Sequence, residues 1–197
     1  MGRHSSFDKQ AVLESALTLF WSKGFSATSL RQLEEVTELH PGSLYHHFKS
    51  KEGLYVSVLK YYLEHEMPDR INRYLTGNAP LSGIRRFFTS GYRNPQEQHY
   101  RNCCFLACSS AELHLLPQEA QSLINKGMMD IQDAFEKQLG LLTRQGYTFS
   151  QEINDIAKHL SCLFLGLQLF ARIQSNQHQL DSIINNSLQQ LLPHRIN

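Results

Sequence analysis

The sequence predicts an all-α protein, in which an N-terminal three-helix helix-turn-helix module joins a larger C-terminal helical bundle, with about nine helices in all. Apolar residues recur with the helical period through nearly every segment. No stretch alternates apolar and polar residues for long enough to indicate a strand. Three short helical segments in the first 48 residues precede several longer ones, and this order favours a small module followed by a bundle.

The first two helices are marked by their apolar spacing and by their ends. Apolar residues from Val12 to Phe20 form one helical stripe, and Gly24 suits the left-handed position that follows a helix. Thr28 or Ser29 is placed to act as N-cap of the second helix, "LRQLEEVTEL". Each helix therefore has an apolar side and a defined boundary.

The third and fourth helices follow after short turns. The third begins at Pro41, because a missing N–H costs nothing in the first turn of a helix, and it spans barely two turns. Ser50 is expected to cap the fourth helix, "KEGLYVSVLKYYLEHE", which should end before Pro68. The segment "TELHPG" between the second and third helices is a short turn containing glycine, which is typical of a helix-turn-helix.

Five further helices account for the rest of the chain. Pro117 is expected to end one helix and start the next, and Gly146 to terminate the longest. The five are predicted at about residues 81–92, 103–116, 117–146, 150–174 and 180–192, with loops at 76–80 and 93–102. We predict that residues 1–50 form the module and residues 68–197 the bundle, with the fourth helix, at 50–67, connecting them.

Bulk composition excludes several classes of protein. The 41% of hydrophobic residues supplies a core, and the 19% of charged residues argues against intrinsic disorder. A net charge of +1 excludes polyanion binding over the whole surface but permits a local basic face. The N-terminus lacks the apolar run of a signal peptide, and the longest nearly apolar window, residues 160–173, is too short to span a bilayer. We therefore expect a soluble cytoplasmic protein with no membrane partner, whose four cysteines form no disulfide framework.

The stretch "LHPGSLYHHFKSKEGLY", residues 39–55, concentrates groups that can bind DNA. Leu44 and Phe48, four residues apart, are expected to anchor the third helix to the module. The outer side carries four hydrogen-bonding side chains, those of Ser43, Tyr45, His46 and His47. Between Leu39 and Lys51 there is no acidic residue, and carboxylates there would repel phosphate. The third helix is therefore suited to enter the major groove of DNA.

Residues 27–55, "ATSLRQLEEVTELHPGSLYHHFKSKEGLY", closely resemble the TetR family of bacterial transcription regulators, and the preceding "VLESALTLFWSKGF" resembles that family's first helix. The resemblance covers about the first 60 residues. It implies a homodimeric regulator of transcription, most simply a repressor that a small-molecule effector in the C-terminal domain releases from a palindromic double-stranded operator. It also implies dimerisation through the last two helices and no cofactor.

The resemblance assigns DNA contacts residue by residue. Thr28 corresponds to a hydroxyl that bonds phosphate, and Lys51 to a phosphate-binding lysine at the start of the fourth helix. Tyr45 and His47 match positions that touch phosphate or groove. The full predicted set is Thr28, Ser29, Arg31, Pro41, Gly42, Ser43, Tyr45, His46, His47 and Lys51. Glu38 departs from the family, in which glycine is common at this turn.

Three histidines in the same stretch raise the alternative of a metal site. Two metal ligands on a helix lie three or four residues apart on one face. His46 and His47 are adjacent and so point about 100° apart, and His40 precedes the helix. We therefore predict no metal site and assign these side chains to the DNA-facing surface.

The segment "CCFLACSSAEL", residues 103–113, resembles one found in a group of TetR-like regulators, in some of which a cysteine senses electrophiles or oxidants. Cys104 is the residue in register, and Cys108 lies four residues further along. Two hypotheses stay open: a thiol-based sensor acting through Cys104, and cysteines that are only small buried hydrophobic residues. A zinc site formed by Cys104, Cys108 and His114 is a weaker alternative.

Aromatic residues of the bundle are candidates for lining an effector cavity, although core packing explains most of them without a ligand. The candidates are Phe88, Tyr92, Phe105, Phe135 and Phe164. An all-α enzyme that uses His or Cys is the competing class. No nucleophile motif, phosphate-binding loop or paired-carboxylate site with a recognisable context occurs in the sequence, so we predict that the protein is not an enzyme.

Overall fold

The computed structural model describes residues 8–93, 103–173 and 176–192. Within these ranges the chain forms α-helices and one short 3-10 helix at Leu113–Leu115, and no strand, which confirms the predicted all-α class. The helices are α1 (Lys9–Lys23), α2 (Leu30–Thr37), α3 (Pro41–Phe48), α4 (Lys51–Glu64), α5 (Glu66–Leu75), α6 (Pro80–Thr89), α7 (Phe105–Ser110), α8 (Gln118–Arg144), α9 (Ile153–Phe170) and α10 (Gln177–Leu191).

The module is held together by α1, which packs against α2 and α4. Asp8 caps α1 by accepting hydrogen bonds from the backbone N–H groups of Gln10 and Ala11. Beyond its other end, Gly24 has a φ of +85°, as expected for glycine after a helix. Buried Leu33 of α2 contributes to the same hydrophobic core. The predicted end of the first helix at Gly24 is therefore confirmed.

The helix α5 corrects the sequence-based expectation for residues 50–75. The fourth helix was expected to run towards Pro68, with no helix assigned between it and the loop at residue 76. Instead α4 ends at Glu64 and α5 begins at Glu66, so that Pro68 lies in the first turn of α5. The N–H groups of a first helical turn have no partner within the helix, so proline is tolerated there. Pro68 therefore belongs to the start of α5, and the expectation that it limits the end of the fourth helix is wrong.

The segment from Cys103 to Leu116 differs from the single helix expected for it. Cys103 and Cys104 precede the helix, and α7 covers only Phe105–Ser110. The backbone then tightens, because the N–H groups of Ala111 and Glu112 donate to the carbonyls three residues earlier. This tightening precedes the 3-10 helix. The polar stretch expected to form a loop at residues 93–102 lies, apart from Arg93, outside the described residues.

The long helix α8 is central to the bundle and contacts α4, α5, α6 and α9. Pro117 is its N-cap and Gly146, with a φ of +87°, follows its end, so both predicted boundaries are confirmed. One continuous buried cluster extends from α1 to α10, and it therefore includes side chains of both predicted domains. No helix in the described ranges is long and apolar enough to cross a membrane.

Hydrogen bonds from the module and from α4 reach the segment around α7, residues 103–112, which we call the junction segment. The indole Nε1–H of Trp21 donates to the Cys103 carbonyl at 2.7 Å, and the Tyr55 hydroxyl bonds the Ser109 hydroxyl at 2.6 Å. The Glu112 carboxylate accepts the backbone N–H of Phe25 at 2.6 Å and that of Ser26 at 3.0 Å. The turn after α1 is thus held from the bundle side.

Candidate nucleic-acid interface

The helices α2 and α3 are joined by a three-residue turn, residues 38–40, as a helix-turn-helix requires. Glu38 makes the turn by adopting the left-handed conformation, with a φ of 56° and a ψ of 21°. Pro41 is the first residue of α3, which confirms the predicted helix start. Leu44 and Phe48 are buried and fix α3 to the module, so its opposite side faces solvent.

Most of the predicted DNA-contact residues lie on this exposed side. Tyr45 is 68% exposed, and the rings of His46 and His47 meet edge to face with centroids 5.1 Å apart. An added Cβ on Gly42 would meet no atom within 4 Å, so the backbone at the start of α3 is open to an approaching ligand. The exposed members of the predicted set are Ser29, Arg31, Pro41, Gly42, Tyr45, His46 and His47, while Ser43 and Lys51 are half-buried and Thr28 is buried.

The start of α2 is built from a capping box. The Ser29 hydroxyl accepts the backbone N–H of Gln32, and the Gln32 side chain accepts the N–H of Ser29. Arg31 follows on the exposed surface. Thr28 is only 1% exposed, and its hydroxyl donates to the Gly24 carbonyl at 2.7 Å. Of the two residues predicted as possible caps, Ser29 caps α2, whereas the Thr28 hydroxyl stabilises the turn before it.

Lys51 stabilises the turn after α1, in addition to the phosphate contact predicted for it. Its Nζ donates to the carbonyl oxygens of Phe25 and Thr28, both at 3.0 Å, and lies 4.2 Å from the centroid of the Phe25 ring. An ammonium group has three N–H donors, so one is left over from these two hydrogen bonds. The phosphate contact stays a prediction, and loss of Lys51 should also loosen the turn after α1.

Two residues that position the interface were not selected from the sequence. Gly53 lies in the first turn of α4, where an added Cβ would come 2.0 Å from the Phe48 carbonyl oxygen. Glu112 holds the turn after α1 from 86 residues away. Gly53 could have been identified as a glycine inside a helical segment, because glycine costs about 1 kcal/mol of stability there relative to alanine and so indicates a packing requirement. No local signal pointed to Glu112.

The thiol groups of the junction segment fall into two environments. Cys104 is buried with its sulfur 3.3 Å from the Tyr62 hydroxyl, and burial raises the pKa of the Cys104 thiol. The sulfurs of Cys103 and Cys108 lie 3.0 Å apart, and an Arg172 guanidinium nitrogen lies 3.4 Å from that of Cys108. The Cys103 thiol lowers the pKa of Cys108, and Arg172 adds to this effect, while the same contact raises the pKa of Cys103.

The described residues contain no group of three or more His, Cys, Asp or Glu side chains that could hold a metal ion. The aromatic effector candidates lie in the core. The rings of Phe88, Phe135 and Phe164 pack together, and Phe105 packs on Trp21. The Tyr92 hydroxyl donates to Asp181 at 2.5 Å, which ties the end of α6 to α10. Each of the five therefore has a packing role.

Comparison with known proteins gives similarity of two kinds. The family model described as "Bacterial regulatory proteins, tetR family" matches residues 12–58. The chain is 25% identical over 190 residues to the uncharacterized HTH-type transcriptional regulator YezE of Bacillus subtilis, covering 95% of this chain and 98% of that protein. It is 44% identical over 63 residues to the HTH-type transcriptional repressor ComR of Escherichia coli, covering 32% of this chain and 30% of the repressor.

Solved structures share the fold along most of the chain. The TetR family transcriptional regulator CifR, solved as a cysteine mutant with a 26-base-pair operator DNA, superposes with a TM-score of 0.79. The two chains are 20% identical, and the match covers 95% of this chain and 98% of that one. At this identity the similarity concerns the fold.

Proposed function

Because the chain belongs to the TetR family of DNA-binding transcription regulators, we propose that it is a homodimeric repressor which a small-molecule effector releases from a palindromic operator. The exposed face of α3, which carries hydrogen-bonding groups and no carboxylate, is the observation that supports DNA reading most directly. The similarity to the repressor ComR, 44% identical over 63 residues, supports the sign of regulation. We infer action in the bacterial cytoplasm, on the nucleoid when DNA-bound, and no enzymatic activity.

Each subunit would place α3 in a major groove, with the two half-sites about one helical turn apart or somewhat more. Ser43 and His46, near the start and middle of α3, are assigned to base edges. Tyr45 and His47 are assigned to the backbone, together with the exposed Arg31 at the start of α2. Base contacts set the sequence preference, whereas phosphate contacts set affinity and its dependence on salt.

Selection of bound DNA from a random pool tests the proposal. The wild-type protein should enrich a palindrome, and His46→Ala should lose about 1–3 kcal/mol of discrimination at one base position of each half-site. Lys126→Ala, on the exposed surface of α8, is the matched control and should select the wild-type sequence. Failure of the wild-type protein to enrich any sequence would refute the proposed function, and an unchanged preference in His46→Ala would remove that residue from base reading.

Exposed apolar residues on and next to α9 and α10 support the dimer. Phe170 is 41% exposed, Ile173 just beyond α9 is 84% exposed, and Ile183 of α10 is 38% exposed. An added Cβ on exposed Gly166 would meet no atom of the same chain within 4 Å. Exposed apolar residues and an exposed glycine permit close approach of a second helix, and two-fold symmetry matches that of a palindrome.

A second candidate function is thiol sensing, and the contact between Cys103 and Cys108 favours it. The Cys108 thiolate would attack the outer oxygen of a hydroperoxide, the O–O bond would break, and an alcohol would leave with a proton from solvent. The resulting sulfenic acid would be attacked by the Cys103 sulfur, forming a disulfide and releasing water. Cys104, the residue assigned by resemblance, is deeper and has a raised pKa, so Cys108 is the better candidate nucleophile.

Four single cysteine-to-serine variants separate these roles. After treatment with cumene hydroperoxide, a disulfide should be found by mass spectrometry in the wild type, Cys104→Ser and Cys162→Ser proteins. Cys103→Ser and Cys108→Ser should lack the disulfide. Their DNA affinity should therefore be the same after treatment as before it, whereas the proteins that form the disulfide should respond by a change in DNA affinity. Loss of the response in Cys104→Ser alone would restore the assignment to Cys104, and no response in any protein would exclude the thiol candidate.

A further inference from the structure

A cleft of about 530 Å³ separates α1 from the α5 and α6 side of the bundle. Its inner wall consists of Trp21, Tyr62, Arg70, Gly91 and Cys103, and its rim carries exposed charged side chains. The volume is within the range of small-molecule sites, which is about 300–1,000 Å³. None of the five aromatic residues predicted as effector candidates lines it.

Arg70 gives the inner end of the cleft a positive charge without a counter-charge. Its guanidinium carbon lies 4.6 Å from the ring centroid of Phe87 and 5.2 Å from that of Phe164. One terminal nitrogen donates to the Phe87 carbonyl, but Nε is buried without a hydrogen-bond partner. None of the ion pairs found among the described residues includes Arg70. Arg70 as a whole is half-buried, and a buried guanidinium nitrogen without an acceptor is costly unless a ligand supplies one.

The neighbouring polar groups do not supply that anion. Burial raises the pKa of the Tyr62 hydroxyl and of the Cys104 thiol, so both are neutral at pH 7. Gln168 is fully buried, and its Oε1 accepts the Cys104 N–H at 2.7 Å while its Nε2 has no partner. Around Arg70 the structure thus places two N–H donors without acceptors.

Gly91 lies at the cleft wall next to the side chains of both Arg70 and Gln168. An added Cβ on Gly91 would come 2.1 Å from Nε2 of Gln168 and 2.9 Å from a terminal nitrogen of Arg70. The terminal nitrogen of Arg70 is the one that donates to the Phe87 carbonyl, so of the two unpaired donors only Nε2 of Gln168 lies directly beside Gly91, which lines the cleft. A ligand group that accepts several hydrogen bonds and carries negative charge would satisfy the unpaired donors after a small side-chain movement.

We propose, as a deepening of the proposed function, that this cleft is the effector site and that the effector is a small aromatic carboxylic acid. A carboxylate matches the planar fork of the Arg70 guanidinium. The rings of Trp21, Tyr62 and Tyr74 line the cleft and suit a flat apolar group. The rim carries Glu66 and Asp69 beside Arg73, so its charge is mixed, and the aromatic lining is what favours an aromatic acid over inorganic phosphate.

The position of the cleft explains how its occupant would act on DNA binding. Gln10 and Trp21 belong to α1 of the DNA-binding module, whereas Arg70 and Arg73 belong to α5. A ligand in the cleft touches both sides at once. It therefore favours one placement of the module relative to the bundle, and DNA affinity falls if that placement does not fit the operator.

Thermal unfolding followed by circular dichroism tests the ligand class. The probes are benzoate, phenylacetate and salicylate, each compared with its amide at constant ionic strength, and inorganic phosphate. At tenfold the Kd, an acid should raise the Tm by about 3–6 °C, and the amides and phosphate should not. If all three acids behave like their amides, the assignment of carboxylate specificity is overturned, whatever any variant does.

The assigned residue is tested with Arg70→Gln, Arg70→Lys and the control Arg86→Gln on the exposed surface of α6. Arg70→Gln should lose the acid response, Arg70→Lys should keep part of it, and Arg86→Gln should keep all of it. A full response in Arg70→Gln would place the site elsewhere. Because Arg70→Lys retains the charge, it serves if the glutamine variant does not fold.

Gel-shift titration against the selected operator tests the effector role. The stabilising acid should weaken DNA binding of the wild type at least about tenfold and leave Arg70→Lys less affected. Acid binding without a change in DNA affinity would refute the effector role but not the site. Acid binding that depends on Arg70, in a protein that selects no DNA, would instead refute the proposed function and leave the site standing.

Discussion

At the turn between α2 and α3, Glu38 holds a left-handed backbone conformation that glycine adopts more easily. We expect Glu38→Gly to stabilise the protein by about 0.5–1 kcal/mol, because the steric cost outweighs the extra chain entropy of glycine. The Tm should rise by about 1–4 °C in thermal unfolding. Glu38→Gln removes the charge but keeps the Cβ, and its Tm should stay at the wild-type value. An equal rise in both variants would assign the effect to charge.

Gly53 permits the close contact between the end of α3 and the start of α4. Gly53→Ala should destabilise the protein by about 1–3 kcal/mol, because its Cβ would overlap the Phe48 carbonyl oxygen and the two helices would have to separate. Urea denaturation measures the loss. Gly42→Ala is the matched control, since its Cβ meets open space, and it should keep or raise the unfolding free energy, by up to about 1 kcal/mol, through helix propensity alone. Comparable losses in both would show that helix packing does not require Gly53.

The role of a single residue was predictable from the sequence where it depends only on neighbouring residues in the chain. The N-cap Ser29 and the first helical residue Pro41 act within one helical turn, so their roles were visible in the sequence and are confirmed. The site residues Thr28 and Lys51 were selected by resemblance alone. Their hydrogen bonds to the turn after α1 depend on three-dimensional packing, and the sequence carried no sign of them.

Among the elements, the junction segment ties the module to the bundle, and Glu112 accepts two backbone hydrogen bonds there. Partial burial opposes ionisation, but hydrogen bonds from Ser26 and Phe25 outweigh it and lower the pKa of the Glu112 carboxyl below its ordinary value of 4.5. The absence of a Cβ on Gly24 makes room for the carboxylate. The contact therefore needs an ionised Glu112.

We expect Glu112→Gln to lower the unfolding free energy by about 1–2 kcal/mol at pH 7, because an amide oxygen replaces a carboxylate that accepts two N–H groups. A lowered pKa stabilises the fold above the unfolded-state value and loses that effect as pH falls through the folded-state value. The difference from the wild type should therefore shrink below about pH 4. Urea denaturation from pH 7 to pH 3 measures it.

Glu119→Gln is the control for that experiment. Glu119 pairs with Lys60 at 2.7 Å, but both side chains are largely exposed, so the variant should change stability little at any pH. If Glu112→Gln also left stability unchanged at pH 7, the junction would depend on its other contacts. A difference that grew towards acid pH would contradict the direction of the pKa shift.

Element boundaries were predicted well where local chemistry set them and poorly where tertiary contacts did. Pro117 and Gly146 delimit α8 as expected. The segment from Cys103 to Leu116 was expected to be one helix because its residues suit a helix. The shortening of α7 accompanies contacts that Trp21, Tyr55 and the turn after α1 make with it, and these residues are distant in sequence.

On the scale of the whole molecule, dimerisation is open to a direct test at Gly166. Gly166→Glu should yield a folded monomer, because the new side chain has room within one chain but would place a charge in the proposed interface. Sedimentation should show the monomer. Affinity for a palindromic operator should fall by about 100-fold or more, because the two modules no longer bind together.

Gly140→Glu provides the matched comparison for dimerisation. Gly140 lies within α8, and an added Cβ there also meets open space, so the same gain in helix propensity applies without a change at the proposed interface. This variant should remain a dimer with wild-type affinity for DNA. A dimeric Gly166→Glu protein would move the interface away from α9.

The overall architecture was predictable because periodicity and helix lengths reflect the average burial of many residues. The candidate effector site was not, because Arg70 matters through the absence of an anionic partner, and no sequence pattern reports a missing contact. The five aromatic residues predicted as effector candidates are buried in the core, which agrees with the alternative that they only pack there.

The hydrogen bond between Trp21 and Cys103 provides an optical probe of the joint between module and bundle. Trp21 is the only tryptophan in the chain, so the intrinsic fluorescence of the native protein at long excitation wavelengths comes from this one indole. Indole emission shifts in wavelength and intensity when its N–H changes partner or its surroundings become more polar. Stopped-flow measurement of tryptophan emission on unlabelled protein should therefore give the rate at which the DNA-binding module moves. DNA release can be followed in the same sample.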